Sequence, residues 1–301
     1  MWIYLAVTSA FFLGFYDISK KHALRHNPVI PVLFLANLAG LVTIALLVFT
    51  TDALLPGISF MPPADAVLSV RSHLHLQVLV KTFIVGISWL LAYLALKNLP
   101  ISIATPIRAS GPFWTIIIAV AFLGEMPTSQ QWLALAVIIT AYFLFSILGQ
   151  KEGIIFHKNI WVLFIVLATL LGTASAVYDK YLLQKAGMHP VTLQFWFTFY
   201  STLLFGIIHL SGWPRGRLKI SWTWSIPAIG FLLIIADMFY FFSLHQENTM
   251  ISLLSAIRRS SVAVSFAVGG IIFREKNKRE KGVALAMLLA GVFLLITAEH
   301  R

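Results

Sequence analysis

Three arginines and one lysine stand inside otherwise apolar runs of this 301-residue chain: Lys81, Arg108, Arg258 and Arg259. The stretch SLLSAIRRSSVAVSFAVGGIIF, residues 252–273, has the composition of a membrane-spanning helix apart from its two adjacent arginines. A charge at the centre of a bilayer costs at least about 2.5–3.5 kcal/mol unless it faces water or a partner, so such residues mark functional sites by default. The chemistry that suits arginine is anion capture, because its planar guanidinium holds a carboxylate or phosphate through two parallel hydrogen bonds. The carboxylates available to neutralise these bases are Asp17, Asp179 and Asp237, of which Asp237 alone falls deep in an apolar run. One central acid against three central arginines leaves the expected interior net positive. Asp237 is then the candidate coupling residue, either neutralising an empty arginine site or carrying a proton. Lys81 admits two readings, since a lysine a few residues inside a helix can extend back to the headgroups. Trp89, Tyr93 and Trp114 offer an apolar wall for a bound molecule, and packing against lipid is an equal reading of each.

The elements that position these residues follow from composition. The chain is 59% hydrophobic and 11% charged, with mean hydropathy +0.88, against roughly 25% charged in a soluble domain. A water-soluble fold is excluded. With about 20 residues needed per crossing of the hydrocarbon core, the sequence places spans at 2–19, 29–49, 75–96, 100–123, 129–148, 159–183, 190–211, 222–244, 250–273 and 281–298. Turn chemistry separates them, as in HNP at 26–28, MPPAD at 61–65, NLP at 98–100 and GEMP at 124–127. Residues 50–74 read as one long loop. The first apolar segment lacks a basic leader and a small-residue cleavage site, and reads as a retained span. There is no cysteine, which excludes disulfides and thiolate metal sites.

The formal net charge of +11 is explained first by orientation rather than by nucleic acid. Loops after the odd-numbered spans carry 14 of the 22 lysines and arginines, Lys20 and Lys21 among them, and the opposite side carries four, including Lys180. The positive-inside rule then puts both chain ends outside the cytoplasm. Two internal matches point to duplication. Tyr16-Asp17 aligns with Tyr178-Asp179 at an offset of 162, and NLPISIATPIRAS from Asn98 aligns with NTMISLLSAIRRS from Asn248 at an offset of 150, with Glu125 over Glu275. Halves of five spans each, 1–150 and 151–301, must enter the membrane from opposite sides. Arg108 and Arg258 then lie roughly 12 Å from opposite surfaces, close to the middle of a core about 30 Å thick. The expected fold is an all-α integral membrane protein with ten transmembrane helices as two inverted five-helix repeats.

That architecture, the Tyr-Asp element ending the first helix of each half, and LGE at 123–125 and REK at 274–276 resemble the drug/metabolite transporter superfamily in its EamA-like branch. PIRASGPFW at 106–114 and AIRRS at 256–260 also resemble basic elements of the triose-phosphate and nucleotide-sugar translocators, where such residues hold a phosphate. The resemblance implies that Arg108, Arg258 and Arg259 are anion ligands. It departs at Gly111, which stands where those translocators have an acidic residue before the proline. It also implies that both chain ends are cytoplasmic, against the charge count, and both orientations stay open.

No GxxxxGK[ST], HExxH or GxSxG occurs, and the nine histidines are scattered, so neither ATP hydrolysis, a metal nor a cofactor is expected. Glu125 and Glu275 read as structural more readily than as proton carriers. The expected function is that of a secondary carrier or exchanger, not an enzyme, moving a small anionic or zwitterionic metabolite by alternating access around the arginine-lined centre. A membrane-embedded or lipid-modifying enzyme would need a polar cluster near one interface. A cation exporter would need a central carboxylate without three arginines. The expected partners are the small-molecule substrate and the lipid of a bacterial inner membrane, with no nucleic acid. Monomer and homodimer are both compatible with the sequence.

Overall fold

The structure is a computed structural model that describes the chain apart from residues 26, 55–60, 100–106, 109, 150–158, 213–219, 262, 263, 265–277, 300 and 301. Every regular element among the described residues is helical. In chain order these are α1 (Trp2–Leu24), α2 (Val29–Leu54), the short α3 (Ala64–Leu68), α4 (Ser72–Asn98), α5 (Gly111–Leu123), α6 (Ser129–Gly149) and α7 (Ile160–Lys180). A π-turn at Tyr181–Lys185 continues α7, and α8 (Pro190–Leu210), α9 (Ser225–His245), α10 (Ile251–Arg259) and α11 (Lys278–Glu299) complete the order. Six of these, α1, α2, α4, α7 with its π-turn, α8 and α9, are long and apolar enough to cross a membrane. The chain is a multi-pass membrane protein.

Several boundaries differ from the sequence expectation for a common reason. Charged residues that hydropathy assigns to loops are absorbed into helices when the fold gives them partners. Helix α1 runs on to Leu24 and carries Lys20 at 4% exposure, so Lys20 is no loop residue. Lys180 likewise ends α7 and donates to Glu125 at 2.6 Å. The supposed loop 50–74 holds the end of α2 and α3. Much of the expected span 9, the start of span 4 and Glu275 fall outside the described residues.

Local chemistry sets the helix ends. Asn159 accepts from the Trp161 amide at 2.9 Å to begin α7, and α8 opens with Pro190 behind a His189 ring nitrogen that accepts from Val191 N at 3.3 Å. Helix α5 stops at Gly124, whose φ of 67° closes the last turn. Asn248 reaches a φ of 64° just before α10, a left-handed conformation that asparagine tolerates better than most side chains.

Helix α1 packs along α9, α4 along α7, and α6 along α11; α2 touches α8 and α9, α4 touches α8, and α5 touches α7 and α10, which in turn meets α1. Small polar residues tie the main pairs: Ser9 donates to Ala236 O at 2.7 Å, Ser243 to Trp2 O at 2.8 Å, and Ser88 to Ala168 O at 2.7 Å. Such bonds replace the hydrophobic drive that lipid removes between helices. Helices α2 and α9 come closest where Gly230 faces Ala36 and Gly40.

A Cβ at Gly230 would lie 2.1 Å from the Ala36 carbonyl oxygen and 2.6 Å from Gly40 N, whereas at Gly86 the nearest atom is Leu204 Cδ2, also at 2.6 Å. Backbone atoms cannot step aside as a side-chain methyl can. Gly230→Ala is therefore expected to cost about 1–3 kcal/mol or more by forcing two helices apart, and Gly86→Ala clearly less. Thermal unfolding of the two purified variants in one detergent compares them; equal midpoints would show that the α2–α9 crossing is not tight.

Candidate functional site: a central charged cavity

A cavity of about 180 Å³ lies where α1, α4, α5, α7, α9 and α10 converge. Its wall includes Lys81, Arg108, Arg258, Arg259, Trp89, Tyr93 and Asp237, all singled out in the sequence. Residues as far apart as 81 and 259 are thereby brought to one place. Trp114 is the exception. Helix α5 buries the face formed by Gly111, Pro112, Thr115, Ile116 and Ala119, and Trp114 projects from another side at 40% exposure, edge-on to Phe113 at 5.4 Å. Helical register decides this, since neighbours in sequence point about 100° apart.

The sequence reading missed Lys20, Asp179 and Tyr240 as wall residues. The Tyr-Asp element was the available signal, but apparent helix ends placed Asp17 and Asp179 near the surface. Asp179 is 4% exposed and receives the ammonium of Lys81, itself 2% exposed. The Tyr240 hydroxyl donates to the other oxygen of Asp179 at 3.4 Å. Phe197 and Phe241 flank Lys81, with ring centroids 4.5 and 5.1 Å from its nitrogen. A paired ammonium between two aromatic faces explains why Lys81 does not extend to a headgroup.

Arg258 pairs with Asp237 and lies 4.0 Å over the Tyr240 ring. Its Nε and the Ser255 hydroxyl one turn earlier are buried without a hydrogen-bond partner among the described residues. Both residues line the cavity. Arg259 reaches across to α5, where a Cβ on Gly111 would stand 3.5 Å from its Nη2. Lys20 bonds Asp17 at 2.5 Å, and its nitrogen is 4.6 Å from the Tyr16 ring centroid. The Tyr16 and Tyr93 hydroxyls meet at 3.3 Å, tying α1 to α4.

Two groups of charge emerge. Around Tyr240, two cations face two carboxylates: Lys81 with Asp179, and Arg258 with Asp237. On the α1 side, Asp17 pairs with Lys20 and lies within electrostatic reach of Arg108 and Arg259. Among the described residues the wall carries five cations and two carboxylates, and counting Asp17 leaves two positive charges over among them. Hydroxyls of Thr115, Thr169 and Thr173 donate to backbone carbonyls at 2.8–3.4 Å, so their remaining capacity toward a ligand is as acceptors.

Asp179→Asn would leave Lys81 buried without a counter-ion, and stability is expected to fall by about 3–5 kcal/mol. Replacing the pair together, Lys81→Met with Asp179→Leu, should recover most of that loss, because two desolvated charges leave at once. A double-mutant cycle on chemical or thermal unfolding reads the difference. An additive cycle would mean that the pair carries no coupling.

Residues 1–147 match the model of the EamA-like transporter family. One solved crystal structure of a protein matches 99% of this chain and 96% of its own length, with a TM-score of 0.73 at 12% identity, a likeness of fold alone. Among curated proteins nothing matches. Residues 1–147 are thus a unit of the EamA-like transporter family, within the drug/metabolite transporter superfamily, whose members are membrane transporters.

Proposed function

We propose that this transporter is a secondary carrier or exchanger for a small anionic or zwitterionic metabolite, which binds in the central cavity and is released by alternating access. One observation carries the reading: among the described residues the wall holds five cations against two carboxylates. Uncompensated positive charge away from water is costly, and a bound anion relieves it. Arginine forks suit a carboxylate or phosphate. Asp237 acts as a stand-in counter-ion for Arg258 while the site is empty, and the substrate displaces it. Asp179 and Asp237 could receive an ammonium, which keeps a zwitterion within the reading. Trp89 and Tyr93 form the apolar side of the site, and Trp114 falls outside it.

The ten-helix, two-repeat architecture is part of the proposal, with units 1–150 and 151–301. The helix pairing supports it. Exchanging the halves turns α1–α9 into α7–α4, α2–α9 into α8–α4, and α1–α10 into α7–α5, and all six contacts occur. The contacts α2–α8, α5–α10 and α6–α11 map onto themselves. A bundle built so can rock about its centre without losing its plan of contacts. A bacterial inner membrane is the proposed location.

Arg108 provides the test. It lines the cavity and forms no ion pair among the described residues, so Arg108→Gln strands no partner. The expected result is an unchanged thermal midpoint with affinity reduced roughly ten- to a hundredfold, the loss of one charge-assisted bond. Arg258→Gln should differ by also lowering stability, since Asp237 loses its partner. Counterflow of labelled sugar phosphates, organic acids and amino acids in proteoliposomes, beside unfolding curves, supplies both readings. Full-rate transport of an anion by Arg108→Gln would defeat the proposed site, and transport of cations alone would favour an exporter of cationic compounds.

A further inference from the structure

Glu125 lies outside the cavity wall, in the turn between α5 and α6, and is only 6% exposed. Both of its oxygens are occupied. It accepts from Ile251 N at 2.7 Å, from Ser252 N at 3.1 Å, from the Ser252 hydroxyl, and from Lys180 Nζ at 2.6 Å. Three of these donors belong to the first turn of α10, whose own N-cap residue, Met250, supplies no side-chain bond. Glu125 thus provides from more than a hundred residues away the acceptor that a helix start needs, and its negative charge suits the positive end of the helix dipole. The fourth donor stands next in sequence to Asp179, the partner of Lys81 in the cavity. One carboxylate therefore joins the α5–α6 turn to the end of α7 and the start of α10. Arg258 and Arg259 stand about two turns further along α10, roughly 10–12 Å away.

We propose that Glu125 is a positioning residue that clamps the first turn of α10 against the first half of the chain, fixing how deep Arg258 and Arg259 stand and shutting the cavity at this end. Opening this end requires Glu125 to release Ile251 and Ser252. A carboxylate that has lost three such donors must be hydrated, so release and the entry of water occur together. The inference assumes alternating access and does not depend on the charge of the substrate.

The chain has no cysteine, so a single introduced thiol reports accessibility without background. Ala176→Cys places one in the cavity wall, and Met126→Cys, at a residue 84% exposed beside Glu125, identifies which membrane face is the Glu125 end. The probe is a membrane-impermeant maleimide added to right-side-out or inverted vesicles. Adding Glu125→Gln to Ala176→Cys is expected to speed labelling from the Glu125 end by about tenfold or more, the population shift for losing a charged hydrogen bond, with no gain from the other end. Equal acceleration from both faces would mean general loosening and would overturn the clamp, as would an unchanged rate from the Glu125 end. Should Glu125→Gln not fold, Ser252→Ala removes one donor and keeps both backbone amides. A smaller acceleration at the same end is then expected, and no acceleration refutes the proposal. Labelling needs no substrate, so the clamp and the anion site fail separately: unchanged labelling beside a flux loss in Arg108→Gln rejects the clamp alone, and the reverse pattern rejects the anion site alone.

Discussion

Ions buried in a bundle that faces lipid must be paired or wetted, and this constraint governs how the helices meet. Lys81 and Asp179 bind α4 to α7, and Asp237 and Arg258 bind α9 to α10. Apolar packing by itself would leave the rotation of each helix loosely defined, because lipid tails are as favourable a neighbour as leucine. The pairs remove that freedom: only one rotation of α4 presents Lys81 to Asp179 between Phe197 and Phe241. Once those faces are fixed, Ser88 and Ala92, about two and three helical turns beyond Lys81, face the cavity, and their neighbours Trp89 and Tyr93 border it.

Satisfied and unsatisfied charge divide the labour. The group around Tyr240 is balanced within itself, and it gives the centre rigidity at the expense of desolvating four ions. The group around Asp17 brings more cations than carboxylates among the described residues, and it is there that the proposed anion would act. Within the Tyr240 group, the terminal nitrogen of Arg258 serves Asp237 while its Nε stays unpartnered among the described residues.

The all-helical membrane class and most of the charged residues of the wall were legible from the sequence, because a charge inside an apolar run is visible without knowing any neighbour. Arg108, Arg258, Arg259, Lys81 and Asp237 were found in this way. What failed were judgements that depend on three-dimensional partners. Lys20 read as a loop residue since hydropathy ends α1 near Ser19, yet Asp17 and two tyrosine rings hold it inside. Asp179 read as peripheral because its partner, Lys81, stands 98 residues earlier in the chain. Trp114 carries no signal of its facing, as α5 is apolar all round and its register is set by neighbours. Glu125 read as structural more readily than as a proton carrier, and the helix start whose amides it accepts, that of α10, lies 126 residues away.

The π-turn at Tyr181–Lys185 bears on the balance between conformations. A wide turn inserts an extra residue and rotates the helix beyond it, and here it brings Gln184 to Leu244 O at 2.7 Å and Gln246 O at 3.2 Å. In the proposed plan of two repeats the corresponding element is α1, which runs as a regular α-helix from Trp2 to Leu24. Two halves that differ in so central a joint cannot be energetic mirror images. A carrier made from them would have a resting side, and its loading and unloading strokes would run at unequal speeds even with identical solutions on both faces of the membrane.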